Sequence, residues 1–164
     1  MKTVVLYESL YGNTEAVARA IAEGLGPVGE VTLARFGDAQ ETAAGEADLV
    51  VLGGPTHGWG MTKPASRKRS NAEGYAAGAR EWLERSHHAE GKMATAFDTR
   101  FGKPRWLTGS AALRIARRLK RDGYRLVLPP ESFFVLHTEG PLRDGEVDRA
   151  RAWGAELARR ARND

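Results

Sequence analysis

Three short segments of this chain carry side chains that could bind a ligand. They read E-S-L-Y-G-N-T over residues 8–14, G-P-T-H-G-W-G-M-T over 54–62 and D-T-R-F-G-K-P-R-W over 98–106. Hydroxyl and amide groups bind phosphate oxygens, and a tryptophan face stacks on a flat ring. The chain has no cysteine, which excludes disulfides, thiolate catalysis and iron–sulfur ligation. Redox chemistry would therefore need a bound cofactor or a non-thiol metal site.

The first segment has the residue types of an anion site. Gly12 permits backbone conformations closed to other residues, and Ser9, Asn13 and Thr14 supply short hydrogen-bonding side chains. The N–H groups that begin the following helix carry partial positive charge and favour an anion. Asn13 or Thr14 would equally suit the N-cap of an ordinary strand–helix turn, so the residues alone leave both interpretations open.

The second segment contains a residue that could stack on a flat ring. Trp59 lies between two glycines, which favours an exposed loop and a stacking role over a place in the core. His57 titrates near neutral pH and would tune the charge of a ligand, although a solvated loop histidine is the simpler interpretation. Arg100, Lys103 and Arg105 make the third segment basic.

The elements that position these segments alternate between strand-like and helix-like patterns. The apolar patterns predict strands over residues 2–7, 29–35, 48–53, 92–97 and a split pair, 125–128 and 133–137. They predict helices over residues 14–25, 72–86, 110–122 and 145–162, with a short helix or turn at 38–47. Such alternation favours a parallel sheet covered by helices on both faces, and ligands bind beyond the carboxyl ends of its strands. We predict a single domain over residues 1–164.

Composition narrows the class of protein. The chain has 164 residues, 41% hydrophobic and 28% charged, which suits a folded domain. No apolar run reaches the roughly 18 residues of a membrane helix, and no signal-peptide pattern precedes the first strand, so we expect a cytoplasmic protein. The 25 basic and 21 acidic residues give a net charge of +4. This excess reflects either compositional bias or a basic docking face for an acidic partner.

Other candidate sites are weaker. His87 and His88 are adjacent and do not share a helix face, so we predict no metal site. The basic run 67–69 and the arginine-rich stretch 113–121 lack interleaved aromatic residues. We therefore interpret them as solvated faces and expect no binding of nucleic acid or membrane.

The first segment and its flanks resemble the amino-terminal signature of flavodoxins. Residues 5–21 read V-L-Y-E-S-L-Y-G-N-T-E-A-V-A-R-A-I, and the matching positions are Val5, Leu6, Tyr7, Ser9, Gly12, Thr14, Ala18 and Ile21. The resemblance implies a short-chain, flavodoxin-like α/β fold, doubly wound around a five-stranded parallel sheet of order 2-1-3-4-5. It also implies non-covalent FMN as cofactor.

The same resemblance implies which residues contact FMN. The first segment would hold the phosphate through Ser9, Leu10, Tyr11, Gly12, Asn13 and Thr14. The second would lie along the ring through Pro55, Thr56, His57, Gly58 and Trp59, with the backbone at Gly58 meeting the ring. The third would surround the pyrimidine edge through Asp98, Thr99, Phe101 and Gly102, with Phe101 in place of the usual tyrosine. The basic residues of this third segment depart from the family pattern and would raise the flavin potential.

The implied function is electron transfer, with single electrons passing between a reductase and an acceptor and no side chain acting as a catalyst. We expect a redox protein partner with an acidic docking face, and a monomer or weak dimer. An NAD(P)H-dependent reductase of quinones or similar small acceptors remains an alternative. So do a flavodoxin-fold binding module without flavin and a protein that binds a deazaflavin.

Overall fold

The computed structural model describes residues 1–57, 59–65, 77–86 and 89–163. Its strands are β1 (Lys2–Tyr7), β2 (Glu30–Arg35), β3 (Leu49–Pro55), β4 (Met93–Phe101), β5 (Arg125–Leu126) and β6 (Glu131–Val135). Its α-helices are α1 (Asn13–Leu25), α2 (Ala79–Arg85), α3 (Arg105–Thr108), α4 (Ala111–Arg121) and α5 (Glu146–Asn163). Short 3₁₀ helices cover Gly26–Val28 and Ala39–Gly45.

The strands form one parallel sheet in the order β2-β1-β3-β4-β5, with β6 also paired to β4. The predicted sheet order is therefore confirmed, and β5 and β6 are two pieces of the fifth strand. Pro129 and Pro130 lie between these pieces, and a residue without an N–H cannot donate to a strand ladder. The end of β6 is partly covered by an antiparallel bridge between Val135 and Leu142.

Apolar residues on both faces of the sheet explain its central position. Alternate residues of β1 face opposite sides, so Leu6 packs with α2 and α4 and Val5 packs with α1 and α5. The run Leu49–Leu52 of β3 is fully buried, as expected for a strand that is covered on both faces. The two hydrophobic cores hold the carboxyl ends of β1, β3 and β4 side by side.

Strand β4 is longer than predicted. The apolar pattern ends at Phe97, but β6 pairs with residues Phe97–Phe101 and carries the strand through the polar sequence that follows. Residues 98–101 are therefore strand rather than loop, because pairing with a distant strand supplies partners for their backbone groups. This extension fixes the first half of the third segment rigidly.

Several sequence expectations fall on residues whose structure is not described. These are Gly58, the basic run 67–69, residues 72–76 of the predicted helix 72–86, and His87 with His88. Within the described ranges, no helix is long and apolar enough to cross a membrane, and no cluster of three potential metal ligands occurs.

Candidate functional site

A cavity of about 290 Å³ opens at the carboxyl ends of β1, β3 and β4. Its size lies at the small end of the ~300–1,000 Å³ that is typical of small-molecule sites, and its position is where doubly wound sheets bind ligands. All three predicted segments contribute to its wall, through Ser9, Leu10, Tyr11, Asn13, Thr14, Pro55, Thr56, His57, Trp59, Thr99 and Phe101.

The first segment ends in a helix start that no side chain caps. Gly12 is the N-cap of α1, with φ 86°, and no side chain bonds the N–H groups of the first turn. The backbone N–H of Gly12 itself donates to the Ser9 Oγ at 3.1 Å, which holds the segment in a tight turn. Since the first N–H groups of a helix lack intrahelical partners, this turn presents donors suited to an anion.

The side chains of Asn13 and Thr14 serve other contacts instead of capping the helix. The Asn13 Nδ2 donates to the backbone oxygen of Glu139 at 3.0 Å. The Thr14 and Thr99 hydroxyl oxygens lie 2.7 Å apart in a buried hydrogen bond. These contacts tie the start of α1 to β4 and to the segment that follows β6, so the ordinary capping interpretation is wrong for both residues.

Trp59 projects from a tight turn. The backbones of His57 and Gly60 exchange two hydrogen bonds, of 2.9 and 3.2 Å, and Trp59 between them has φ 74°. A bulky residue in the left-handed region is a genuine outlier. Trp59 is 54% exposed, which excludes a place in the core, and it lines the cavity.

The backbone of Gly109 packs closely against the backbone of this strained turn. Trp59 and Gly109 form a parallel bridge. A Cβ at Gly109 would lie 2.3 Å from the Trp59 backbone oxygen, so this close approach requires glycine. The sequence pattern around Trp59 gives no hint of this second support.

His57 is partly buried at the cavity. Burial lowers the pKa of its imidazole below the usual value, and the nearby Glu8 carboxylate opposes that shift without cancelling it. Glu8 is itself buried and accepts a hydrogen bond from the Thr62 hydroxyl at 2.5 Å. The imidazole is therefore largely neutral at pH 7, and the interpretation of His57 as a freely solvated histidine is wrong.

Asp98 is not among the residues that line the cavity. Its side chain is fully buried, and its Oδ2 accepts hydrogen bonds from Thr56 Oγ1 at 2.9 Å, Ser110 Oγ at 2.6 Å and the Ala112 N–H at 3.0 Å. The carboxylate thus joins the second segment to the start of α4, where negative charge is favoured. This network holds the Oδ2 in the interior, whereas the buried Oδ1 has no hydrogen-bond partner among the described residues, and the contact of Asp98 with a ligand stays a prediction.

Gly12 and Gly102 also lie outside the cavity lining. Gly12 shapes the first turn, as described above. Gly102 lies against Arg143, whose Nη2 is only 2.2 Å from the position a Cβ would take. Gly12 therefore acts through its left-handed backbone conformation, and Gly102 leaves space for the Arg143 side chain.

The cavity has lining residues that the sequence patterns do not assign to it: Arg100, Leu107, Thr108, Val135 and Thr138. Arg100 is only 7% exposed. Its Nη1 donates to the backbone oxygens of Phe101 at 3.1 Å and Lys103 at 2.7 Å, and to Thr108 Oγ1 at 3.1 Å. One guanidinium therefore joins three positions of the stretch 101–108.

The cavity mouth is apolar and basic. Its exposed large apolar lining residues are Tyr11, Trp59, Phe101 and Leu107, and the exposed Trp106 and Leu136 are adjacent in sequence to the lining residues Leu107 and Val135. Lys103 and Arg105 are exposed on the same segment, and neither has a carboxylate within 4.0 Å among the described residues. By contrast, Arg149 pairs with Glu131 and Glu146.

The comparison with known families decides the identity of this fold. A sequence model described as flavodoxin matches residues 5–96, more than half of the chain. The chain belongs to the flavodoxin family. No curated protein matches this flavodoxin.

Solved flavodoxins share its architecture over nearly their full length. The structure of oxidised Flavodoxin 2 from Bacillus cereus is 20% identical, with a TM-score of 0.74 over 97% of this chain and 99% of that one. Oxidised Flavodoxin 1 from Bacillus cereus is 22% identical, with a TM-score of 0.71 over 97% and 98%. A flavodoxin from the domain Archaea is 21% identical, with a TM-score of 0.69 over 99% of both chains. At these identities the likeness establishes the fold.

The residues present suit the flavin that the family implies. An uncapped helix start with the Ser9 hydroxyl beside it provides donors for a phosphate. An exposed indole at Trp59 and apolar surface at Phe101 provide contacts for a flat ring. The third segment departs from the pattern, because a buried guanidinium forms part of its wall.

Proposed function

We propose that this flavodoxin binds FMN non-covalently and carries single electrons between a reductase and an acceptor. The observation that supports this proposal best is one cavity that joins the uncapped start of α1 to the exposed Trp59 ring. When bound, FMN supplies the electron-accepting chemistry, and the chain binds, orients and shields it. No side chain has to act as an acid or base.

The phosphate would lie at the first segment. The backbone N–H groups after Gly12 and the Ser9 hydroxyl would donate to its oxygens, with the helix dipole adding attraction. No lysine or arginine occurs in residues 8–14. The site would therefore hold phosphate by neutral donors.

The ring would lie between the second and third segments. Trp59 would stack on it, Thr56 and the neutral His57 would border it, and Phe101 would cover another part of the wall. The exposed rim around this position would leave a ring edge open to an electron-transfer partner.

FMN titration of the apoprotein tests this proposal. We expect saturable quenching of flavin and tryptophan fluorescence at one FMN per chain, with weaker binding of riboflavin because it lacks the phosphate. No binding at tens of micromolar would refute the proposal and support a flavin-free binding role. Stoichiometric NADPH oxidation by the purified protein alone would instead support a reductase.

The partner would present an acidic face. Lys103 and Arg105 are exposed and lie between the cavity-lining residues Phe101 and Leu107 along the chain. The electrostatic field of such surface charges steers association with a partner of opposite charge and raises encounter rates by roughly 10- to 1,000-fold at low salt. We expect the docking face to be the apolar rim with these two cations on it.

Small oxidants of opposite charge test this docking field. We expect the FMN-loaded, reduced protein to reduce the anion ferricyanide faster at low salt than at high salt. The rate with the cation hexaamminecobalt(III) should instead rise as salt is added. Lys103→Glu with Arg105→Glu should lower the ferricyanide rate several-fold at low salt. Lys120→Glu with Arg121→Glu changes the net charge equally but lies at the other end of α4, and it should have little effect. Equal effects of the two double variants would refute a local docking field.

A further inference from the structure

The wall of the cavity contains a buried cation with no carboxylate bonded to it. Arg100 is 7% exposed, and all its hydrogen bonds go to neutral oxygens: two backbone carbonyls and the hydroxyls of Thr108 and Ser132. The Phe134 ring lies 5.2 Å from its guanidinium carbon and contributes a cation–π contact. Buried charges are ordinarily paired, so this positive charge is only partly compensated.

One end of the guanidinium has donors left over. The Nε and Nη1 make all the hydrogen bonds of Arg100, and Nη2 makes none within the described residues. Nη2 is also not among the fully enclosed polar atoms that lack partners. Because Arg100 is otherwise buried and lines the cavity, we infer that Nη2 meets the cavity.

The neighbouring charged groups do not neutralise the guanidinium of Arg100. Asp98 attracts the guanidinium, but no hydrogen bond joins them: its Oδ2 accepts from three other donors, and its buried Oδ1 has no hydrogen-bond partner among the described residues. Arg105 adds a second positive charge nearby. A ligand group placed at Nη2 would therefore be favoured if it were negative.

We propose that Arg100 forms a second anion-binding point, distinct from the phosphate end, which binds the negative charge of reduced FMN. This inference depends on the proposed function. Two electrons from the reductase and one proton convert bound FMN to a reduced ring with one extra negative charge, and the second proton stays in solvent. The Arg100 charge would stabilise that reduced ring more than the oxidised ring.

The consequence is a difference in affinity between the two oxidation states. We expect Arg100→Gln to weaken binding of reduced FMN at least tenfold more than binding of oxidised FMN. For a two-electron couple, each tenfold change in that ratio lowers the midpoint potential by about 30 mV. Arg100→Lys keeps the charge and should preserve most of the ratio.

Arg143 supplies a matched control. Its guanidinium carbon lies 5.1 Å from the same Phe134 ring, but it is exposed and does not line the cavity. Arg143→Gln removes one positive charge from the same neighbourhood and should leave the affinity ratio and the potential unchanged. Fluorescence titration gives the oxidised dissociation constant, and a potentiometric titration gives the ratio.

The outcomes separate this inference from the proposed function. If Arg100→Gln weakens both oxidation states equally, Arg100 only holds the third segment and the inference fails, while FMN binding stands. If wild type binds no FMN, both fail. If Arg100→Gln does not fold, a potentiometric titration of the wild-type protein provides the test. Bound FMN should then have a higher two-electron midpoint potential than free FMN, and a lower potential overturns the inference.

Discussion

Substitutions at Trp59 measure whether its left-handed backbone conformation costs stability. We compare two substitutions that both remove the indole, Trp59→Ala and Trp59→Gly. At φ 74°, alanine keeps a left-handed cost of about 1–2 kcal/mol that glycine does not have. Glycine loses about 0.5–1 kcal/mol more entropy on folding. The glycine variant should therefore be the more stable, by roughly 0.5–1 kcal/mol, which reverses the usual order of these residues.

Urea unfolding of the apoproteins, followed by far-UV circular dichroism, measures this difference. In thermal unfolding it corresponds to about 1–4 °C, at the ~2–4 °C per kcal/mol expected for this chain length. An alanine variant as stable as the glycine variant, or more stable, would refute a strained Trp59 backbone.

FMN affinity separates the ring from the backbone in the same variants. Stacking of a flat ring on an aromatic side chain contributes about 1–3 kcal/mol, so both variants should bind FMN roughly 5- to 150-fold more weakly. Since both lack the indole, we expect their dissociation constants to agree. Wild-type affinity in either variant would contradict the stacking role of Trp59.

Two further measurements test the supports of the site. A Cβ at Gly109 would meet the Trp59 backbone, whereas Gly91 has a similar φ of 80° with open space around it. Urea unfolding should therefore show that Gly109→Ala is more destabilising than Gly91→Ala by roughly 1–3 kcal/mol. Equal losses of stability would argue against the close approach. The lowered pKa of His57 means that the unfolded chain binds more protons near pH 6, so stability falls as pH decreases through the usual histidine range. His57→Gln should therefore lose less stability than wild type between pH 7.5 and 5.5, and an unchanged loss would show that other groups are responsible.

The sequence predicts the first part of the site well because its signals are local. The apolar strand β1, the turn at Gly12 and the helical spacing of α1 follow one another without interruption. Their chemistry is decided within about twenty residues, and the resemblance to flavodoxins depends on the same stretch. The position of this turn beside β3 and β4 then follows from the sheet order.

The third segment is predicted less well because distant partners decide it. Pairing with β6 extends β4 to Phe101, and no local pattern in that sequence predicts the pairing. The alternation of a strand would turn Arg100 away from Thr99 and Phe101, but its long side chain still reaches the cavity wall. Val135 ends β6 and Thr138 follows it, so the approach of both to the cavity depends on the same pairing.

The division of the fifth strand bears on how copies of this chain meet. An uninterrupted edge strand offers a row of backbone donors and acceptors on which another sheet can grow. Here β5 has two residues, Pro129 and Pro130 have no N–H to offer, and the bridge to Leu142 partly covers the end of β6. This edge is therefore a poor template for strand addition and gives the fold protection against aggregation. The opposite sheet edge, β2, is the longer unbroken strand. We therefore expect copies that meet at the β5–β6 edge to use side-chain surfaces.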